Sequence, residues 1–387
     1  MSKAVLVTDM SSFTSSTETR GIIDVGAKIF ALRELLLPLM RSYGAHASAE
    51  ADNCRGIFDD PKLALAAAFA CRRAVEDYNS QAAEWGQLEL DGLGLDWGED
   101  IQLDGHTLAG SVVDTAFQLA ENIAKDGQVL ISPATEAALR ERECHLSCRR
   151  LHSGELLSTD GGHYWEVTKP IFMVAPHPTL PVEYENADEN RLADLCRRRL
   201  VPGADTVLID QQIRSQFIER RTAMLYDILP QDRTSLGRQL EIRDILRSVA
   251  RAYGGYIWPD DDRLFMFSHP SDALATAIEA RHRLLENGTP VRSFGIDHGD
   301  VLAIEGTVVH WGSPVNSAAK LSEDIASTSQ ILVSDRARFQ IQRQLSILEK
   351  CIFSPHEAEK SGVKFEHWDV EFTPTEQMVK ILSEGLD

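Results

Sequence analysis

The sequence predicts two related α/β domains in tandem, of the mixed α+β kind, and three observations carry that expectation. The chain resembles itself at an offset of about 200 residues, runs of strand length alternate with helical periodicity, and the composition is that of an ordinary globular protein. With 387 residues, 43% apolar and 25% charged, it is long enough for two or three domains, each with its own core.

The repeat comes first because it organises everything else. Residues 43–79, which begin Tyr-Gly-Ala, match 253–287, which begin Tyr-Gly-Gly. Further on, LGLDWGEDIQLDGHTLAGSVVDTAFQLAENIAKDGQVLIS matches FGIDHGDVLAIEGTVVHWGSPVNSAAKLSEDIASTSQILVS. The opening strands also correspond: VLVTDM ends at Met10 and AMLYDI at Ile228.

Each copy reads as strand, helix, hairpin, helix, strand, helix, strand. VLVTD is an apolar run of strand length, and 21–42 has helical periodicity with Pro38 expected to kink its last turn. Asp52-Asn53 lies between two short strand-like runs, where both residue types tolerate a tight turn. Pro61 then opens an Ala-rich helix reaching about Asn79. The expected boundaries are a first domain at 1–170, a linker with one helix at 171–219, a second domain at 220–372 and a tail at 373–387.

Composition excludes several classes. A formal charge of −20 should repel phosphate backbones and anionic lipid, so neither nucleic acid nor a membrane is an expected partner. No stretch reaches eighteen apolar residues, and the N-terminus lacks a basic region followed by a long apolar run. The six cysteines have no zinc-ligand spacing, since only Cys144 and Cys148 are close together. A cytoplasmic protein with reduced thiols is expected.

The chemistry resides in acids at strand ends. Asp9 closes the first strand and Asp52 occupies the hairpin turn. If those strands are neighbours, both carboxylates reach one end of the sheet, where oxygen ligands suit Mg²⁺ or Mn²⁺. Two such ions can clamp the attacking and leaving oxygens of a phosphoryl displacement. The segment SSFTSST after Asp9 is read as a loop whose N–H and hydroxyl groups could hold phosphate oxygens. A single Asp is more often a cap or a turn residue. The repeat makes that account less adequate, because Asp227 recurs at the end of the equivalent strand and Asp261 or Asp262 in the equivalent turn.

Three stretches, VTDMSSFT (7–14), ADNCRGIF (51–58) and GSPVNSAAKLSE (312–323), resemble the class III nucleotidyl cyclase family. With the weaker copies, the resemblance covers roughly 4–170 and 220–372. It implies ferredoxin-like βαββαβ domains paired head to tail, here within one chain as an intramolecular pseudo-dimer of a monomer, with composite sites that take a nucleoside triphosphate and two Mg²⁺ or Mn²⁺ ions. One site would join Asp9, Asp52, Phe13 and Thr14 to Asn316 for the ribose, Lys320 for the α-phosphate charge and Lys360 for the terminal phosphates, with Lys364 as competitor. Lys320 stands where the family has Arg, which keeps the charge and loses the fork geometry. The other site would join Asp227 and Asp261 to Asp114 and Gln118, an excess of acid that should repel a triphosphate.

The usual ATP-reading pair is absent, and the aligned place before the hairpin Asp holds Ile257 or Trp258. Trp258 would restrict the pocket to a smaller pyrimidine or else be a core residue, and His310 would contact a base or be structural. The implied activity is conversion of a nucleoside triphosphate to a 3′,5′-cyclic nucleotide and pyrophosphate. The alternative is a degenerate nucleotide sensor or protein-interaction module, suggested by A-D-N in place of G-D-G and by Lys320.

Overall fold

A computed structural model describes residues 2–10, 13–50, 52–99, 101–103, 107–152, 162–170, 172, 174–178, 181–229, 236–258, 263–289, 291–343, 351–360 and 363–372. The chain divides into two compact units, Met1–Ser16 with Ile23–Ser215, and Thr17–Ile22 with Gln216–Asp387.

The first unit runs β1 (Ser2–Asp9), α1 (Phe13–Arg20), α2 (Ile22–Ser42), β2 (His46–Glu50), β3 (Asn53–Phe58), α3 (Pro61–Asn79), β4 (Gly92–Glu99), a small hairpin of β5 (Ile101–Leu103) and β6 (Thr107–Ala109), α4 (Ser111–Phe117), β7 (Gln128–Ile131), α5 (Pro133–Glu141), β8 (Leu146–His152) and β9 (His163–Pro170). Its sheet has the order β2-β3-β1-β4-β7-β9-β8. β1 is antiparallel to both β3 and β4, whereas β4 and β7 are parallel, joined by a crossover through α4. Alternation along β1 sends Val5 and Val7 to one face, where they pack against Val112, Val113, Ala116 and Ala120. Asp9 continues that same parity.

The second unit repeats the plan with β10 (Ile218–Ile228), α8 (Leu236–Ala252), β11 (Tyr256–Ile257), β12 (Leu264–Phe267), α9 (Pro270–Glu286), β13 (Val291–Ala303), β14 (His310–Trp311), α10 (Ser313–Lys320), β15 (Gln330–Ser334), α11 (Asp335–Arg343), β16 (Cys351–Lys360) and β17 (Val363–Phe372). Its sheet order, β11-β12-β10-β13-β15-β17-β16, is the first one transposed. The fold class is therefore two tandem α+β units of common topology, as the internal repeat predicts.

The likeness extends to details that composition does not reveal. α4 and α10 each pass into a turn of π-helix, at Gln118–Ile123 and Leu321–Ile325. Gly94 and Gly295 face these helices so closely that a Cβ would collide with the carbonyl oxygens of Ala116 and Ala318. Asp96 and Asp297, two residues further along the strand in each case, are buried and accept hydrogen bonds from Ser132 and Ser334.

Three sequence readings need amendment. The Ser/Thr-rich segment after Asp9 is not a loop throughout: from Phe13 it is helix α1, ended where the Gly21 N–H bonds the Thr17 carbonyl at φ +86°. Low helix propensity of Ser and Thr suggested otherwise, and it is a weak prior for eight residues in a folded context. Asn53 belongs to β3, paired with Glu50, so the hairpin turn holds Asp52 without it. The segment 171–219 contains two helices, α6 (Ala187–Arg199) and α7 (Thr206–Phe217), and Arg199 bridges Asp24 of α2 and Asp210 of α7.

Candidate active site

Strand order decides which acids meet. β1 and β3 are neighbours, with Thr8 opposite Cys54, so the end of β1 and the β2–β3 turn share one corner of the sheet. Asp9 and Asp52 stand there together. Burial chiefly, then the charges of Asp52, Glu121 and Asp91, pushes the Asp9 carboxyl up to about 9. Burial raises Asp52 to about 6, and its own backbone amide and the Arg33 guanidinium hold it from going higher. A cation arriving at such a cluster would favour the charged form of both carboxyls. The donor set, carboxylate oxygens alone, fits a hard divalent ion. Among the described residues no group of three or more His, Cys, Asp or Glu side chains converges as a metal cage, so this corner offers a pair of carboxylate ligands with two further acids nearby.

Glu121 and Asp91 were not singled out by sequence reasoning. Glu121 lies on the π-helical turn over the Asp9 face and accepts from Asn53 Nδ2 at 2.7 Å. Asp91 directly precedes β4 and donates its backbone N–H to the Asp9 carbonyl at 3.0 Å. Arg33, 1% exposed on α2, was also missed; its one visible signal is a lone cation within IFALRELLL.

The corresponding corner of the second unit is neutralised from within. Asp227 is fully buried, and Arg292 reaches it at 2.7 Å while also donating to the carbonyl oxygen of Glu323 at 2.9 Å. Arg263, just before β12, pairs with Glu323 at 2.6 Å. The strand partner of Asp9 is Gly92 and that of Asp227 is Ser293, so Asp91 and Arg292 occupy the same register position with opposite charge. Asp261, expected beside Asp227, lies outside the described residues, as does Asp262.

The remaining predicted residues are placed as follows. Asn316 and Lys320 are on α10, one turn apart. Asn316 Nδ2 is buried with no hydrogen-bond partner among the described residues, and Lys320 Nζ lies 3.7 Å from Asp324. Asp114 is exposed on α4, and Gln118, which opens the π-helical turn, has a buried Oε1 that finds no partner among the described residues. Trp258 is 2% exposed, donates Nε1–H to the Thr307 carbonyl at 2.6 Å and packs with Leu225, Leu264, Val301 and Ala318. His310 is buried with its ring 5.1 Å from that of Trp258. Phe13 and Thr14 open α1 and Lys360 ends β16; their side chains lie outside the described set. Lys364 is exposed on β17.

Fold and site define a protein of two repeated α+β units, one carrying an acidic corner suited to a hard cation and the other the same corner closed by arginine. No family model matches the chain, and no curated protein matches it. Among solved structures it is similar to the catalytic core of a rhodopsin-guanylyl cyclase with converted specificity in complex with ATPαS, at 18% identity and TM-score 0.38, over 44% of this chain and 96% of that one. It is similar also to an adenylate/guanylate cyclase/hydrolase from Silicibacter pomeroyi, at 19% identity and TM-score 0.37, covering 43% and 96%. A third is the adenylyl cyclase CyaB from P. aeruginosa, at 16% identity and TM-score 0.36, covering 43% and 94%. No described helix is long and apolar enough to cross a membrane.

Proposed function

We propose that the chain is a nucleotidyl cyclase that converts a nucleoside triphosphate into a 3′,5′-cyclic nucleotide and pyrophosphate at a single site served by the carboxylates of the first unit. The observation that carries this reading is the acidic corner itself: Asp9 and Asp52 are held together at the end of neighbouring strands, and Asp9 resists ionisation unless a positive charge arrives. Two Mg²⁺ or Mn²⁺ ions held there would lower the pKa of the ribose 3′-hydroxyl and neutralise the leaving pyrophosphate.

In this reading the chain's own groups position and balance charge. Asp9 and Asp52 hold the ions, and the N-terminus of α1, with Phe13 and Thr14, faces phosphate oxygens with its backbone donors. Asn316, whose buried amide nitrogen has no hydrogen-bond partner among the described residues, orients the ribose, and Lys320 offsets charge gathering on the α-phosphate. Lys360 serves the terminal phosphates, and Trp258 and His310, both buried, serve the core of the second unit. The new bond joins the 3′-oxygen to the α-phosphorus as its bond to the bridging oxygen breaks, and the hydroxyl proton leaves to solvent. The reading requires the second unit to contribute Asn316 and Lys320 to the carboxylates of the first. Asp227 needs no ion, because Arg292 already satisfies it.

Incubation with each of the four ribonucleoside triphosphates and Mn²⁺, with products identified by mass, tests this. A cyclic product lost in Asp52→Ala and in Asn316→Ala but retained in Asp227→Ala is the expected result; equal loss in Asp52→Ala and Asp227→Ala overturns the single-site assignment. One observation favours a second reading, nucleotide binding without turnover: the Lys320 ammonium is already paired with Asp324. A triphosphate that raises the melting temperature while no product forms would establish that reading instead.

A further inference from the structure

The residue after Asp52 has a side chain with an unusual environment. Asn53 is 5% exposed, and its Nδ2 donates to Glu121 Oε1 at 2.7 Å. A carboxylate only accepts, so this bond fixes which end of the amide faces Glu121 and turns Oδ1 the other way. That Oδ1 is buried and finds no hydrogen-bond partner among the described residues. A buried, unsatisfied amide oxygen costs about 1–3 kcal/mol unless something positive or donating meets it.

Its location says what that is. The β1–β3 register sets Val7 against Arg55 and Thr8 against Cys54, and continuing it by one pair sets Asp9 against Asn53. Directly opposed residues project from the same face of a sheet, so Asn53 and Asp9 share the face covered by α4 and the turn that carries Glu121. Amide oxygens are ordinary ligands for hard divalent ions. We propose that Asn53 Oδ1 is a third protein oxygen ligand for a divalent cation at the Asp9–Asp52 corner, and that Glu121 is the positioning residue which orients it. This inference rests on the metal reading of that corner. It also reinterprets A-D-N: the residue departing from the usual G-D-G adds a ligand that glycine cannot supply.

The test measures Mn²⁺ affinity of the full chain without nucleotide, by electron paramagnetic resonance of free Mn²⁺, with melting temperature in chelator as the folding control. Asn53→Ala should weaken Mn²⁺ binding about tenfold or more, and Glu121→Ala, which frees the amide to turn, should weaken it several-fold. Asn53→Asp combined with Glu121→Gln keeps an oxygen toward the cation and restores a donor–acceptor contact beside it, and should bind at least as tightly as the natural chain, which guards against an Ala variant that merely folds poorly. Asn53→Ala binding Mn²⁺ within twofold of the natural chain, while Asp9→Asn abolishes binding, would overturn the ligand assignment and leave the corner intact. No effect of Asp9→Asn would overturn both. Mn²⁺ binding with the expected pattern but no cyclic product would refute the cyclase reading and leave Asn53 as a ligand.

Discussion

The acidic corner around Asp9 and the closed corner around Asp227 are built on equivalent strands, in the same register, under equivalent π-turned helices, yet they treat a strand-end carboxylate in opposite ways. In the first unit burial chiefly, then the charges of Asp52, Glu121 and Asp91, drives Asp9 toward its neutral form. In the second, Arg292 stands where Asp91 would be and Arg263 holds Glu323, so the charges cancel inside the unit. The lesson is that topology places the acids, and the residues one position before their strand partners, Asp91 and Arg292, decide whether more acid or a counter-charge meets them.

The largest expected effect breaks that cancellation. Arg292→Ala removes the guanidinium that meets the fully buried Asp227, a change that costs about 3–5 kcal/mol where one partner of a buried pair is removed. For units of this size that is a fall in melting temperature of about 10 °C, which calorimetry reads directly. A fall of less than about 3 °C would mean that Arg292 contributes little to the corner.

Next come the features the two halves share. Gly94→Ala and Gly295→Ala each press a Cβ onto a helix carbonyl, and each should destabilise by about 3 kcal/mol, measured by denaturant unfolding. Unequal losses would show that only one half keeps the close strand–helix approach.

The metal-free chain should also disclose the difference through pH. Asp9 is raised from its ordinary 3.8 to about 9, so between those values the folded state binds more protons than the unfolded one. This stabilising contribution is complete below the unfolded pKa and is lost as pH climbs through the folded one. In chelator, melting temperature should therefore decline with rising pH across that window, and Asp9→Asn should flatten the decline and raise the melting temperature at about pH 8. An unchanged slope in Asp9→Asn would remove Asp9 as its source. The smallest effect concerns Lys320: under the proposed cyclase activity, Lys320→Arg would offer a planar fork to the α-phosphate and should raise kcat a few-fold, about 1 kcal/mol or less, with melting temperature unchanged.

Much of the frame is legible in the amino acids. Strand β1, helix α3 opening at Pro61, and the transposed copy of both were readable because apolar period and repeat spacing are local properties. Asp9 and Asp52 could be named for the same reason, as a strand end and a turn. The counter-ion Arg292 could not. It lies 65 residues from Asp227, and nothing in VRSFGIDHG distinguishes a surface arginine from one that turns inward. Glu121 was equally hidden, since only the π-helical turn of α4 brings it over Asn53, 68 residues away. Asn53 itself was read as a turn residue, because Asn tolerates turns and a single register pair separates turn from strand.

By itself, then, the order of residues determined two like α+β halves and the positions of their strand-end acids, because hydrophobic period and turn chemistry act over a few residues at a time. The partner that each acid meets and the buried amide oxygen of Asn53 were decided only by the packed sheet and its covering helix. Coulomb energy depends on distance and burial, and neither is written along the chain.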